Sequence, residues 1–97
     1  MLKLDKQRRL KIPADLLEIS NLEKFSNKLY IMLKGEEIFL STTISDCFDG
    51  ILATATLDTK MRFVMPSRII YLLKLNENSE VLLYVNQAGY IVVKAAN

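Results

Sequence analysis

The 97-residue sequence has no histidine, one cysteine, two prolines and three glycines, and each shortage removes a class of function or fold. Without histidine the usual general base is missing, and so is the commonest nitrogen ligand for a metal. Cys47 cannot close an internal disulfide, and with only Asp46 and Asp49 beside it it lacks the companions of a zinc site. It is expected to be a plain linker cysteine. No glycine-rich phosphate loop is present, and no nucleophile, base and oxyanion set. An enzyme is therefore not expected, and neither is a cofactor or a metal. The longest apolar runs, Ile69 to Leu73 and Val81 to Val85, fall well short of the roughly 18 to 20 residues that span a bilayer. The N-terminus lacks the apolar core of a secretory signal. No membrane partner is expected, and the expected location is a reducing cytoplasm.

What is present is a compact-protein composition, 51% hydrophobic and 25% charged, too apolar for a disordered chain. At this length one domain is expected, with no second independent core. The net charge of +2 is unevenly spread. From Met1 to Ile12, five basic residues (Lys3, Lys6, Arg8, Arg9, Lys11) stand against Asp5, so this end carries +4 and the remainder −2. A basic end on a slightly acidic body suits contact with a polyanion.

The strongest pattern is a repeat. Leu4 to Pro13 returns at Leu57 to Pro66 with a constant offset of 53, and Leu, Asp, Arg and Pro coincide at Leu4/Leu57, Asp5/Asp58, Arg9/Arg62 and Pro13/Pro66. A repeat of this kind defines the unit of the fold.

Alternating apolar and polar residues predict strands over Met1 to Leu4 and Arg9 to Ile12, joined as a hairpin by a turn at Asp5 with Lys6-Gln7-Arg8 at its tip. Pro13 is expected at the first helical position of a short helix to about Ile19, with Leu16, Leu17 and Ile19 inward. A polar connection, Asn21 to Asn27, leads to a second hairpin, Lys28 to Leu33 and Glu37 to Leu40. The second copy repeats the order, with strands Ile51 to Leu57 and Arg62 to Met65. A helix from Pro66 to about Leu73 follows, then a hairpin of Glu80 to Val85 and Tyr90 to Lys94 turned at Asn86 to Gly89. Ser41 to Gly50 reads as a linker containing one helical turn begun by Ser41 or Thr43. Tyr30, Phe39, Phe63, Tyr84 and Tyr90 fall on strands and are expected to pack rather than to stack bases. Neither half can enclose a core alone, so the halves are expected to interleave.

A strand ending in an apolar residue and Asp, a short basic loop ending in Arg, an apolar strand, Ile-Pro and a short helix resembles the swapped-hairpin proteins typified by AbrB, SpoVT and MazE. The tandem arrangement is similar to MraZ. The resemblance implies a mainly β fold with short helices (α+β), in which two ββαββ swapped-hairpin repeats intertwine into one pseudo-twofold barrel-like domain. Residues 1–97 then form a single domain, with a first repeat over 1–40, a linker over 41–50 and a second repeat over 51–97. The resemblance also implies a bacterial, nucleoid-associated transcription regulator that binds double-stranded DNA through basic β-hairpin loops, and it allows homo-oligomers. The motif arginine falls on Arg9 and Arg62 and the basic loop residue on Lys6 and, displaced by one, Lys60. With the neighbouring cations the implied DNA-binding set is Lys3, Lys6, Arg8, Arg9, Lys11, Lys60, Arg62 and Arg68.

Two departures stand out. The family's glycine before the motif arginine is Arg8 in one copy and Met61 in the other, and helix arginines are replaced by Leu17-Glu18 and Ile70-Tyr71. Arg9 and Arg62 each have two roles open to them, contact with DNA or pairing with Asp5 and Asp58. Lys74 and Lys94 are expected to lie outside the contact surface. The alternative function is an antitoxin-like or other protein-interaction module. A toxin partner is disfavoured, because such antitoxins carry a long acidic tail and this sequence stops at Asn97, just past its last strand.

Overall fold

The computed structural model describes residues 2–22, 27–76 and 79–96. Met1, at the start of the first expected strand, and residues 23–26 of the polar connection lie outside the described residues. The elements are β1 (Leu2–Lys3), β2 (Arg9–Lys11), α1 (Ala14–Ile19), β3 (Lys28–Lys34), β4 (Glu37–Ser41), β5 (Gly50–Thr56), β6 (Arg62–Val64), α2 (Ser67–Leu72), β7 (Glu80–Val85) and β8 (Ile91–Ala95). The chain is mainly β with two short helices, an α+β protein. Among the described residues no helix is long and apolar enough to cross a membrane.

Six strands form one antiparallel sheet in the order β1-β7-β8-β4-β3-β5, and β2 and β6 form a separate two-stranded ribbon. The expected hairpin between β1 and β2 does not form. β1 pairs with β7, while β2 pairs with β6. The turn at Asp5 is real, but the chain leaves it in a new direction and the strands diverge into different sheets. In the same way β5 pairs with β3 rather than with β6. Each copy's first strand therefore lies on the other copy's closing hairpin.

Two ladders are symmetric under the 53-residue offset. Leu10 faces its own counterpart Phe63 in the ribbon, and Phe39 faces its counterpart Val92 at the β4–β8 seam. The sheet is not closed into a barrel. β1 and β5 are its two edges, held apart by the four strands between them, and β2 and β6 pair with each other outside it.

The core lies between the sheet and the ribbon. Ile31, Ile38, Leu40, Val81, Leu83, Ile91 and Val93 face Leu10, Phe63, Ile12, Met65 and Ile69. Alternation sends Met32, Phe39 and Val92 to the opposite face, and these are buried too. Over Phe39 lies the segment expected to be a mere linker. Residues 42–49 form no helical turn. The Ser41 hydroxyl bonds the N–H and carbonyl of Thr43 (3.1 and 2.7 Å) and makes a local bend, a favoured alternative to helix capping. Phe48 then packs on Phe39 and Tyr90, with ring centroids 5.2 and 4.9 Å apart.

Pro13 and Pro66 precede their helices by one residue, as caps rather than first helical residues. Their extended ψ values of 143° and 145° leave the carbonyls to accept from Leu16 and Leu17 and from Ile69 and Ile70. Leu16 and Leu17 are half-buried, whereas Ile19 is 66% exposed. At 100° per residue Ile19 lies about 110° from the midpoint of Leu16 and Leu17, so it leaves the face they bury.

Two substitutions test this packing. Phe63→Ala should cost about 3–5 kcal/mol through the cavity it opens between ribbon and sheet, measured as a fall in the urea midpoint. Gly89 has φ +90°, and an added Cβ would lie 2.5 Å from the Asn21 side chain, which itself bonds the Ala88 carbonyl at 2.8 Å. Gly89→Ala should therefore lower the melting temperature, by about 1–2 kcal/mol of stability or more.

Candidate nucleic-acid interface

One turn, built twice, organises the basic residues. The Asp5 carboxylate accepts the main-chain N–H groups of Gln7 (2.9 Å) and Arg9 (2.8 Å) on Oδ1 and the Arg9 Nε–H (2.7 Å) on Oδ2. Asp58 accepts Lys60 N–H, Arg62 N–H and Arg62 Nε–H at 2.9, 2.9 and 2.8 Å. Main-chain bonds close each turn: Arg8 N–H to Asp5 O and Asp5 N–H to Arg9 O, then Met61 N–H to Asp58 O and Asp58 N–H to Arg62 O. The pairing of each arginine with its aspartate, one of the two roles open from the sequence, is present in both copies. An arginine carries five N–H donors, so each guanidinium keeps its two terminal nitrogens while its Nε is fixed. Hydrogen bonds hold both carboxyls below the usual carboxylate range, led by the main-chain N–H of Arg9 and of Arg62.

Arg8 and Met61, where the resemblance calls for glycine, have φ of +62° and +60°. Both are held there from two sides. The Arg8 N–H is committed to the turn and its carbonyl accepts from Met65 N–H (2.7 Å), while the Met61 carbonyl accepts from Ile12 N–H (3.0 Å). A left-handed conformation is costly for a side-chain-bearing residue, and the crossing of ribbon and turns keeps it in place.

β2–β6 pairing brings the two copies' basic residues onto one ribbon. Lys11 stands opposite Arg62, and Arg9 opposite Val64, while Leu10 and Phe63 point into the core. Arg9, Lys11, Arg62 and Val64 thus share the outer face, with Lys6 and Arg8 in one flanking turn and Lys60 in the other. Arg9 and Arg62 are matched by Asp5 and Asp58. Among the described residues Lys6, Arg8, Lys11 and Lys60 have no ion pair. Of the remaining two expected members, Lys3 sits apart on the sheet edge with Glu80 as its register partner. Arg68 is exposed in the first turn of α2.

Beside the first turn, an open cleft of about 650 Å³ is lined by Leu4, Lys6, Arg8, Ile70 and Leu75. It continues past Arg8 along Tyr71 and Lys74. Lys74, expected to lie outside the surface, shares a wall with Arg8. No sequence pattern links the two, because the crossing of the turn over α2 is a tertiary event. Lys94 lies on the far face of the sheet. There it bonds Glu37 at 3.5 Å and its pKa is raised, chiefly by the neighbouring Tyr84 side chain. No family model matches the chain, and no curated protein matches it.

The turns make two predictions. Glycine at position 8 relieves the left-handed strain without removing a buried side chain, so Arg8→Gly should raise stability by about 0.5–1 kcal/mol, read from thermal unfolding. Asp5 and Asp58 have folded pKa values below their unfolded ones. Their contribution is complete above the unfolded value of about 3.9 and is lost as pH falls through the lowered folded values. The double variant Asp5→Asn, Asp58→Asn should be less stable at pH 7, and its stability should change less between about pH 4 and pH 2. An unchanged acid limb in circular dichroism would refute this account.

Proposed function

We propose that this chain is a DNA-binding transcription regulator of the AbrB and MraZ type, whose two ββαββ repeats exchange hairpins within one polypeptide. It binds duplex DNA through the β2–β6 ribbon and its flanking turns. The observation that carries this reading is the register of the ribbon. Lys11 of one copy stands opposite Arg62 of the other, on an exposed two-stranded element beside the uncommitted Lys6, Arg8 and Lys60. A two-stranded ribbon is narrow enough for the major groove, about 12 Å wide, and arginine and lysine suit both phosphate and guanine edges. Lys6, Arg8 and Lys60 supply phosphate contacts from the tips. Arg62 and Arg9, held by their aspartates through Nε, present oriented terminal nitrogens. The reaction to DNA is occupancy of a site, with no cofactor, in the cytoplasm at the nucleoid.

Fluorescence anisotropy on a pool of random duplexes across a salt series tests the proposal. Four or five phosphates neutralised per chain correspond to a slope of log affinity on log salt of roughly −4, or −7 to −9 for a dimer. Replacing Arg8 and Lys11 together by glutamate should flatten the slope by about 2 and weaken binding at least tenfold. The same change at Lys34, on the far side of the sheet, should leave both unaffected. Salt-independent affinity, or equal losses from the two changes, would reject the assignment.

A further inference from the structure

The six-stranded sheet has two unlike edges. β1 is two residues long and carries Lys3, whereas β5 is a seven-residue strand, Gly50 to Thr56, with no charged side chain and no proline. Among the described residues no strand pairs with the outer side of β5. An uncharged edge of this length is one that proteins ordinarily block or use.

The ladder fixes which main-chain groups face outward. Leu57 N–H donates to the Asn27 carbonyl at 2.7 Å, and the same register continues through Leu29 opposite Ala55 and Ile31 opposite Ala53. Alternation in an antiparallel ladder therefore turns the N–H and C=O groups of Ala53 and Ala55 toward β3 and those of Thr54 and Thr56 toward the open side. Ala53 and Ala55 pack against the core, while Thr54 and Thr56 are exposed. The register shift opposite Ile31 and Met32 leaves Leu52 unpaired, so the regular stretch begins at Ala53.

We propose that β5 is a dimerisation strand, pairing antiparallel with β5 of a second copy about an axis at Ala55. In this register Thr54 of each copy exchanges main-chain N–H···O=C bonds with Thr56 of the other, and only the regular part of the strand is used. Ala55 meets Ala55 across the axis in a non-hydrogen-bonded pair, where the close Cα approach suits a small side chain. Thr54 and Thr56 become cross-strand neighbours on the outer face, a favourable combination. A second copy is the occupant because the strand is complementary to itself and opposes no like charges. The sheet's own centre follows the same plan: the counterpart strands β4 and β8 pair antiparallel with Phe39 opposite Val92. Growth ends at two, since β1 offers two residues and a lysine. The dimer does not depend on the DNA reading.

Size exclusion with light scattering over a dilution series from high to low micromolar protein tests this. The wild type should show twice the mass of one chain at the concentrated end. Thr54→Pro removes an outward N–H and no donor to β3, and the double variant Thr54→Lys, Thr56→Lys sets lysine opposite lysine at exposed positions. Each should run as a monomer throughout, with far-UV circular dichroism confirming the fold. A monomeric wild type overturns the proposal, as does a dimer that survives the folded double-lysine variant.

Discussion

A strand's main-chain N–H and C=O groups must find partners when the chain folds, and in this protein the first strands of each copy find them in the other copy. β1 rests on β7, β5 on β3, and β2 on β6. Neither half pairs its own opening strands with each other, so each half depends on the other for its ladder partners. The sheet order and the core follow from this exchange. Leu10 and Phe63, too short a ribbon to be stable in isolation, become the central contact beneath a six-stranded sheet.

The exchange depends on the Asp turn, which reverses the chain in very few residues and sends it to a different sheet. Three bonds to each aspartate achieve this and use the Nε of each motif arginine in doing so. The charge left unmatched lies beside the arginines, on Lys6, Arg8, Lys11 and Lys60, and this residual charge gives the ribbon its proposed affinity for a polyanion. The left-handed backbone at Arg8 and Met61 is the accompanying strain, carried at two equivalent positions because the same crossing bonds hold both.

The segment between the repeats has a structural task as well. The strands at the centre of the sheet are apolar on both faces, and the ribbon can cover only one. Phe48 of this segment lies on the other, packed against Phe39 and Tyr90. Length and polarity made this stretch resemble a tether, and only the burial of Met32, Phe39 and Val92 reveals why an aromatic residue stands in it.

Much of the local structure was legible in the residues themselves. Period-two alternation marked β1 and β2, runs of strand-forming residues and the repeat at an offset of 53 marked the other strands, and proline marked both helix starts; all but the repeat are signals that act over a few neighbouring residues. The turn at Asp5 was legible for the same reason, since aspartate bonds the backbone two and four residues on. Strand partners were not legible, because an antiparallel ladder forms between segments whose separation leaves no trace in either. The hairpin expected between β1 and β2 and the barrel-like closure of the sheet failed on that point, whereas the outward turn of Ile19 follows from helix geometry alone. The sequence by itself determined where the strands, turns and charges lie along the chain. The tertiary structure decided that Lys11 meets Arg62, that Arg8 borders Lys74 and that β5 is left as an open edge, since hydrogen-bond partners and buried faces are chosen only when distant segments meet.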